Sequence, residues 1–136
     1  FQDKIHPYLI PIFDEMNMYL PKETAEKWLR EKRIEICPLE YMRGRNFHDS
    51  FIILDEAQNA TYQQIKMLIT RMGSRSKCVI NGDIEQTDLP ANISGGLEEC
   101  VDRLDNLKGV SIVELDRCDI IRNKIISSIL ERLEDD

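Results

Sequence analysis

Two adjacent carboxylates, Asp55 and Glu56, follow directly on the apolar run 51–54 (Phe-Ile-Ile-Leu). The run is too short for a helix and consists of residues that favour strands, so it predicts a strand buried on both faces in a parallel sheet. Open α/β sheets bind ligands at the carboxyl ends of their strands, and successive strand side chains point in opposite directions. One acid could therefore face a metal ion and the other a water molecule. The alternative interpretation is an acidic turn at a helix entry, where Asp is common.

Two further polar turns are predicted at the same edge of the sheet, because two other apolar runs also end in polar residues. The side chains are Asp83 and Gln86 after residues 77–81, and Arg117 and Arg122 after residues 109–115. Carboxylates for a divalent metal, an amide that orients water and arginines for developing negative charge are the groups that phosphoryl transfer requires. Together they favour a phosphoryl-transfer site over an incidental acidic turn.

Arg43 and Arg45 flank Gly44, which places two guanidinium groups around a flexible residue. A guanidinium donates paired hydrogen bonds to phosphate oxygens, so this arrangement suits phosphate recognition. An exposed turn with incidental charge is the alternative for the same three residues.

The elements that would position these side chains form a helical segment over residues 1–33 and an α/β core over residues 34–136. Strands are predicted at 34–39, 51–54, 77–81 and 109–115, and helices at 61–72, at 97–107 and after a cap at Asp119. Thr61 and Gln64 have the spacing of a capping box, and Gly73 is placed to end that helix. Two strands joined by one helix form a parallel crossover unit, so the order of elements predicts a parallel α/β sheet.

The composition describes one ordinary globular domain of 136 residues, 42% hydrophobic and 32% charged. A formal net charge of −7 argues against a protein that coats nucleic acid generally. No apolar run approaches the roughly 18 residues that a membrane span needs. The four cysteines are scattered without a Cys-x-x-Cys pair, which favours free thiols and a reducing, cytoplasmic setting.

Four stretches carry a family resemblance: 41–45 (Tyr-Met-Arg-Gly-Arg), 54–59 (Leu-Asp-Glu-Ala-Gln-Asn), 66–71 (Lys-Met-Leu-Ile-Thr-Arg) and 82–90 (Gly-Asp-Ile-Glu-Gln-Thr-Asp-Leu-Pro). In this order and spacing they resemble the PhoH family of P-loop ATPases, which is related to the cores of superfamily 1 helicases. The resemblance runs from about His6 to Arg122. It implies the three-layer parallel sheet of a RecA-like P-loop NTPase, with ATP and Mg²⁺ as cofactors.

The resemblance also implies roles for individual residues. Asp55 resembles the Walker B aspartate that holds Mg²⁺, and Glu56 resembles the adjacent glutamate that polarises the attacking water. Gln86 is similar to the motif III glutamine that senses the γ-phosphate, and it follows Gly82 and Asp83 at the nucleotide.

Three arginines complete the implied site. Arg122 resembles the arginine of the family's Asp-x-x-Arg segment, a candidate for γ-phosphate contact. Arg43 and Arg45 match the family's Arg-Gly-Arg and would contact phosphate of the nucleotide, of RNA or at a neighbouring subunit; the resemblance does not choose among these.

The family's Walker A loop, a Gly-rich turn with Lys-Ser/Thr whose backbone N–H groups cradle phosphates, does not occur in these 136 residues. The strand and turn before Phe1 are expected to hold it. The chain then resembles the C-terminal portion of a PhoH-like ATPase domain, and these residues alone are expected to bind ATP weakly and to hydrolyse little.

Three functions remain in competition at this point. The first is ATP hydrolysis coupled to remodelling of RNA or single-stranded nucleic acid, in a homo-oligomeric ring. The second is a non-catalytic module that contacts a subunit or binds RNA. The third, a metal-dependent nuclease, is disfavoured because Glu85 or Asp88 would have to join the acids. The basic residues available for RNA are Arg43, Arg45, Lys66, Arg71, Arg75 and Lys77.

Overall fold

The computed structural model describes residues 2–93 and 95–134. In chain order its helices and strands are α1 (Gln2–Tyr19), α2 (Lys22–Arg30), β1 (Phe51–Leu54), α3 (Tyr62–Ile69), β2 (Lys77–Ile80), α4 (Leu97–Leu104) and α5 (Lys124–Leu133). Single 3₁₀ turns lie at Leu39–Tyr41, Ala57–Asn59 and Arg117–Asp119. The predicted α/β class is therefore confirmed. Among the helices described, none is both long and apolar enough to cross a membrane.

The sheet consists of β1 and β2, which pair in parallel with α3 as the connection between them. Phe51 lies opposite Lys77 and Leu54 lies opposite Ile80, so the two strands end at the same level. The predicted β-α-β unit at the centre of the chain is confirmed. Because the strands run in parallel and in register, the residues that follow each of them emerge at one edge.

The predicted strand at 34–39 is wrong. The backbone N–H of Ile34 donates to the carbonyl of Trp28 at 3.2 Å, so this segment begins by closing the end of α2 rather than by joining a sheet. Pro38, which has no N–H to donate to a ladder, then leads into the 3₁₀ turn. The alternation of apolar and polar residues is present in the sequence, but residues 34–39 pair with no strand among the described residues.

The predicted strand at 109–115 is also wrong, because no described residue pairs with it. Its apolar side chains stand in solvent: Val113 is 82% exposed and Leu115 is 77% exposed. A strand exists only through a ladder of hydrogen bonds to a neighbour. The alternation at 109–115 predicts an extended backbone. It does not show whether a neighbouring strand is present among the described residues.

One face of the sheet is covered and the other is open, so β1 is not buried on both faces as its composition predicted. Leu54 and Ile80 contact a core formed by Ala57, Ala60, Ile65, Leu97 and Cys100. On the opposite face Phe51 is 65% exposed and Ile53 is 48% exposed. The described residues thus form a sheet with a single helical layer, and the three-layer arrangement is not seen in them.

Helix α3 has the capping box that its sequence predicted. The Thr61 hydroxyl accepts from the N–H of Gln64 at 3.2 Å, and the Gln64 side chain accepts from the N–H of Thr61 at 2.9 Å. The helix ends at Ile69 rather than at Gly73. Two residues past this end, the carbonyl of Arg71 accepts from the N–H of Phe47 at 2.8 Å, so the chain there pairs with a distant segment instead of continuing the helix.

The last helix begins four residues later than predicted. Asn123, not Asp119, is its N-cap and accepts from the N–H of Ile125 at 3.2 Å. Asp119 is used within the 3₁₀ turn, where its carboxylate accepts from the N–H of Asp116 at 2.7 Å. Helix α4 likewise ends at Leu104 instead of Leu107.

Candidate functional site

The turns that follow β1 and β2 are hydrogen-bonded to each other. The N–H of Asn81 donates to the carbonyl of Leu54 at 2.9 Å, and the carbonyl of Asn81 accepts from the N–H of Ala57 at 2.8 Å. These two bonds extend the parallel pairing past the ends of the strands. They bring the acids Asp55 and Glu56 beside the second polar turn.

Glu56 has a left-handed backbone, with φ 54° and ψ 41°. For a residue with a Cβ this conformation costs about 1–2 kcal/mol relative to the right-handed region. Four other non-glycine residues among those described also have a positive φ, so this conformation alone does not mark a functional site. Asp55 is half-buried and Glu56 is exposed. The two acids therefore differ in exposure, although Glu56 lies beyond the strand and its direction is set by the left-handed backbone and not by the predicted strand alternation.

Gln58 is a buried polar residue that sequence reasoning missed. Its side-chain oxygen accepts from the N–H of Asp83 at 3.0 Å, and its side-chain amide donates to a carboxylate oxygen of Glu56. The residue is only 5% exposed. A signal was available in the two alanines around it, Ala57 and Ala60, because small apolar residues in a turn indicate that the turn packs against the core.

Asp83 organises the turn that carries Gln86. One carboxylate oxygen accepts from the N–H of Glu85 at 2.9 Å, and the other accepts from the side-chain amide of Gln86 at 3.0 Å. The carbonyl of Asp83 also accepts from the N–H of Gln86 at 3.1 Å. The Gln86 side chain is thereby held beside Asp83 at the carboxyl edge of the sheet.

Gly82 lies where a side chain would not fit. A Cβ at this position would stand 2.5 Å from Cδ2 of Leu97 and 2.8 Å from the side-chain oxygen of Gln58. Both neighbours belong to packed parts of the molecule, since Leu97 and Gln58 are buried. Glycine lets the end of β2 approach close enough for Gln58 to reach the N–H of Asp83.

One residue at this edge, Asp55, could supply a ligand to a Mg²⁺ ion. Asp55 is half-buried at the end of β1, and across the described residues its carboxylate takes part in no hydrogen bond or ion pair, so its oxygens remain available. Mg²⁺ sites typically use one or two carboxylates and leave the remaining positions to water and substrate phosphates. The Asp55 carboxylate could supply one such oxygen ligand.

A different group of three candidate ligands lies far along the chain. Ligand atoms of Asp116, Cys118 and Asp119 are within 4.8 Å of one another, and all three residues are exposed. Because the Asp119 carboxylate already accepts from the N–H of Asp116, this group is the acidic side of a turn. It supports no metal assignment.

Arg45 has partners inside the molecule. Its guanidinium forms an ion pair with Glu35 at 2.6 Å and lies 4.8 Å above the centre of the Phe47 ring. The hydrogen bond from Arg45 lowers the pKa of Glu35 and raises the pKa of Arg45 itself, against the opposing effect of burial on each. Arg43, across Gly44, is exposed. The two arginines are therefore not equivalent.

Arg122 is exposed and lies between the 3₁₀ turn Arg117–Asp119 and the start of α5. Within the described part of the chain no hydrogen bond or ion pair joins it, or Arg117, to the edge that carries Asp55 and Glu56. The sequence predicted that these arginines would lie with the acids. The described residues bring together two of the three polar turns.

Residues 1–134 match the family model for PhoH-like proteins. The chain belongs to the PhoH family. It is 42% identical over 130 residues to a PhoH-like protein of Bacillus subtilis, covering 96% of this chain and 41% of that protein. Over 129 residues it is 43% identical to a PhoH-like protein of Mycobacterium tuberculosis, covering 95% of this chain and 37% of the relative. It is 37% identical over 130 residues to Protein PhoH of Escherichia coli, covering 94% of this chain and 37% of that protein.

Family membership confirms the resemblance drawn from the motifs, and the chain spans about two fifths of the length of these relatives. The residues that the PhoH resemblance singled out fall into two sets in the structure. One set shares the carboxyl edge of the sheet: Asp55, Glu56, Gly82, Asp83 and Gln86. The other set stands outside the described contacts of that edge: Arg43, Arg45 and Arg122.

Proposed function

We propose that the chain is the C-terminal part of a PhoH-family ATPase and that the acids after β1 belong to its hydrolytic site. The observation that carries this proposal is the hydrogen-bonded pairing of the two strand ends through Leu54, Asn81 and Ala57. It joins two separate family motifs at the edge where parallel α/β sheets bind ligands.

Asp55 and Glu56 take different roles in this proposal. Asp55, half-buried at the strand end, would hold Mg²⁺, which when bound neutralises charge on the phosphates of ATP. Glu56 is exposed to the solvent from which a water must come and acts as the general base toward it. Gln86, held by Asp83, contacts the γ-phosphate, and Gly82 lets the end of β2 pack closely against Gln58 and Leu97.

We further propose that these residues form part of a larger, three-layer RecA-like sheet. Support comes from surfaces that are costly to leave in water: the open face of the sheet with Phe51 and Ile53, and the unpaired segment with Val113 and Leu115. That larger sheet would include a further strand and a Walker A loop, which these 136 residues do not contain. The 136 residues alone are then expected to bind ATP weakly and to hydrolyse little.

The test is ATP hydrolysis by the full-length protein, with and without Mg²⁺. Glu56→Gln and Asp55→Asn should each lower kcat by about 100-fold or more, comparable to the loss of an essential general base. Glu85→Gln is the matched control, since it removes an exposed carboxylate from the adjacent loop. Turnover that survives Glu56→Gln, or that falls equally with Glu85→Gln, would reject the assignment.

Binding of RNA or single-stranded nucleic acid is proposed for the exposed basic residues Arg43, Lys66 and Lys77. Arg75 contributes less, because it is paired with Asp49 at 2.5 Å. Phosphate contacts release counterions, so affinity for a labelled single-stranded RNA should fall steeply with salt. Replacing Arg43 with Ala should reduce the slope of that dependence by about one contact. An affinity that does not change with salt would contradict binding through phosphates.

A homo-oligomeric ring is proposed from the exposed position of Arg122 and its absence from the described contacts of the acids. In a ring, Arg122 of one subunit would serve the site of the next. Glu56→Gln and Arg122→Ala subunits, each inactive alone, should then regain part of the ATPase activity when mixed. Mixtures that stay inactive, together with light scattering that gives a monomer, would reject the ring.

The second candidate is a non-catalytic module that contacts a subunit or RNA. The observation in its favour is the row of exposed apolar residues on α5, including Ile125 at 61% and Leu133 at 71% exposure. Under this alternative Glu56→Gln would leave the subunit contact and the RNA affinity of the full-length protein unchanged. A cytoplasmic setting is proposed with either function, on the basis of the free thiols at Cys37, Cys78, Cys100 and Cys118.

A further inference from the structure

Gln58 is a polar side chain within the core and bridges the two turns of the site. It is 5% exposed, and Ala57 and Ala60 beside it are 0% and 3% exposed. Burial of an amide group is unfavourable unless its polar atoms find partners. Both ends of the Gln58 amide have one: the N–H of Asp83 on one side and the carboxylate of Glu56 on the other.

The orientation of the Gln58 amide follows from its partners. A backbone N–H can only donate, so the side-chain oxygen of Gln58 must face Asp83, at 3.0 Å. The NH₂ end is then left for Glu56, whose carboxylate can only accept when ionised. The two hydrogen bonds are therefore donated in one order, from the N–H of Asp83 to Gln58 and from Gln58 to the carboxylate of Glu56.

Gly82 and Thr87 lie close to Gln58. Gly82 leaves open the space next to the Gln58 oxygen, where a Cβ would approach to 2.8 Å. The backbone carbonyl of Gln58 also accepts from the hydroxyl of Thr87 at 3.4 Å. Gln58 is thus fixed through both its side chain and its backbone, while Glu56 is exposed and, across the described residues, makes its side-chain hydrogen bond to Gln58.

We propose that Gln58 is a positioning residue that aims the Glu56 carboxylate and couples its position to the turn of Asp83 and Gln86. The inference rests on the proposed ATPase function. A long, exposed glutamate side chain samples several rotamers, and a charge-assisted hydrogen bond from a rigid donor selects one of them. Movement of the Asp83 turn, when Gln86 meets a phosphate, is transmitted to Glu56 through the same amide.

The test uses three variants of the full-length protein. Gln58→Met keeps the length of the side chain and removes both bonds. Gln58→Glu keeps an acceptor for the N–H of Asp83 and loses the donor to Glu56, placing two carboxylates side by side. Thr61→Ala is the structural control, because it removes the capping box of α3 without touching Glu56.

Gln58→Met and Gln58→Glu should lower kcat by about 10–100-fold, the usual effect of losing a supporting hydrogen bond, with KM for ATP changed less than about threefold. Hydrogen exchange of the peptide 81–86 should accelerate in Gln58→Met and stay slow in Gln58→Glu. Thr61→Ala should lower the urea midpoint and leave kcat unchanged at temperatures where the protein is folded. This pattern separates positioning from general stability.

Three results would overturn the inference: a Gln58→Met kcat within twofold of wild type, a rise in KM that accounts for the whole loss, or an equal loss of kcat in Thr61→Ala. Failure of the proposed function is distinguishable, because wild-type turnover would then be absent or insensitive to Glu56→Gln. The hydrogen-exchange comparison of Gln58→Met with Gln58→Glu still tests the bridge in that case.

Discussion

The side-chain oxygen of Asn59 accepts a hydrogen bond of 2.7 Å from the backbone N–H of Asp88, twenty-nine residues further along the chain. Asn59 belongs to the turn after β1, and Asp88 to the loop after β2. The loop 83–88 is exposed along its whole length, so it has little apolar burial of its own. Its position relative to the acids depends on bonds of this kind, which extend the coupling of the strand ends.

Asn59→Ala should therefore loosen the loop that carries Gln86. Loss of one hydrogen bond to an exposed N–H costs about 0.5–1.5 kcal/mol, measured as the change in the free energy of unfolding in urea. Limited proteolysis should cut the loop faster. Asn59→Asp is the matched control, because it keeps the accepting oxygen at the same position. Equal cleavage rates for wild type and Asn59→Ala would contradict an anchoring role.

The elements that sequence predicted correctly are those with complete local signals. Helix α3 has its cap, its apolar stripe and its connection to two strands within about twenty residues of chain, and both β1 and β2 are compact apolar runs. Asp55 and Glu56 were placed at a strand end for the same reason. Such features depend on neighbours in sequence, so a pattern is sufficient to predict them.

The features that sequence did not predict depend on contacts between distant residues. Residues 109–115 have the alternation of a strand, but a strand needs a partner that the pattern does not identify. Gln58 was missed because a glutamine in a turn is usually solvated, and its burial follows from the approach of Gly82 and Leu97. The ion pair of Arg45 with Glu35, ten residues earlier, was not predicted, and the expected phosphate contact of Arg45 stays a prediction.

The left-handed backbone of Glu56 gives a prediction about stability that can be separated from activity. Glu56→Gly and Glu56→Ala both remove the carboxylate and the partner of Gln58, so both should abolish ATP hydrolysis. Only the alanine variant keeps a Cβ at φ 54°, so the glycine variant should be more stable by about 1 kcal/mol in urea unfolding.

The informative quantity is the sign of the difference in the free energy of unfolding between Glu56→Gly and Glu56→Ala. At ordinary backbone angles alanine is more stable than glycine by roughly 0.5–1 kcal/mol, because glycine loses more conformational freedom on folding. An alanine variant as stable as the glycine variant, or more stable, would show that residue 56 does not adopt the left-handed conformation in solution.

The cysteines should react with alkylating reagents in an order set by burial. Burial raises the pKa of the Cys78 thiol, and it raises the pKa of Cys100, which also lies near the charge of Glu99. A raised pKa lowers the fraction of reactive thiolate at neutral pH. Cys118 is exposed and should react first with iodoacetamide, as followed by mass spectrometry. In urea the four rates should converge; early modification of Cys100 in the folded chain would contradict the described core.

The Glu35–Arg45 ion pair should make a contribution to stability that depends on pH. The pair lowers the pKa of Glu35, so its contribution is present above the pKa of an unfolded glutamate, about 4.3, and is lost as pH falls through the lower folded value. Both side chains are more than a third exposed, at 38% and 50%, so the expected size is only about 0.2–1 kcal/mol. Arg45→Met should be less stable than wild type by that amount at pH 7, and the difference should shrink at pH 3.

Arg43→Met, which removes the neighbouring exposed arginine, should show the same difference at both pH values. A deficit of Arg45→Met that is equal at pH 7 and pH 3 would mean that packing over Phe47, and not the charge of Glu35, holds Arg45 in place.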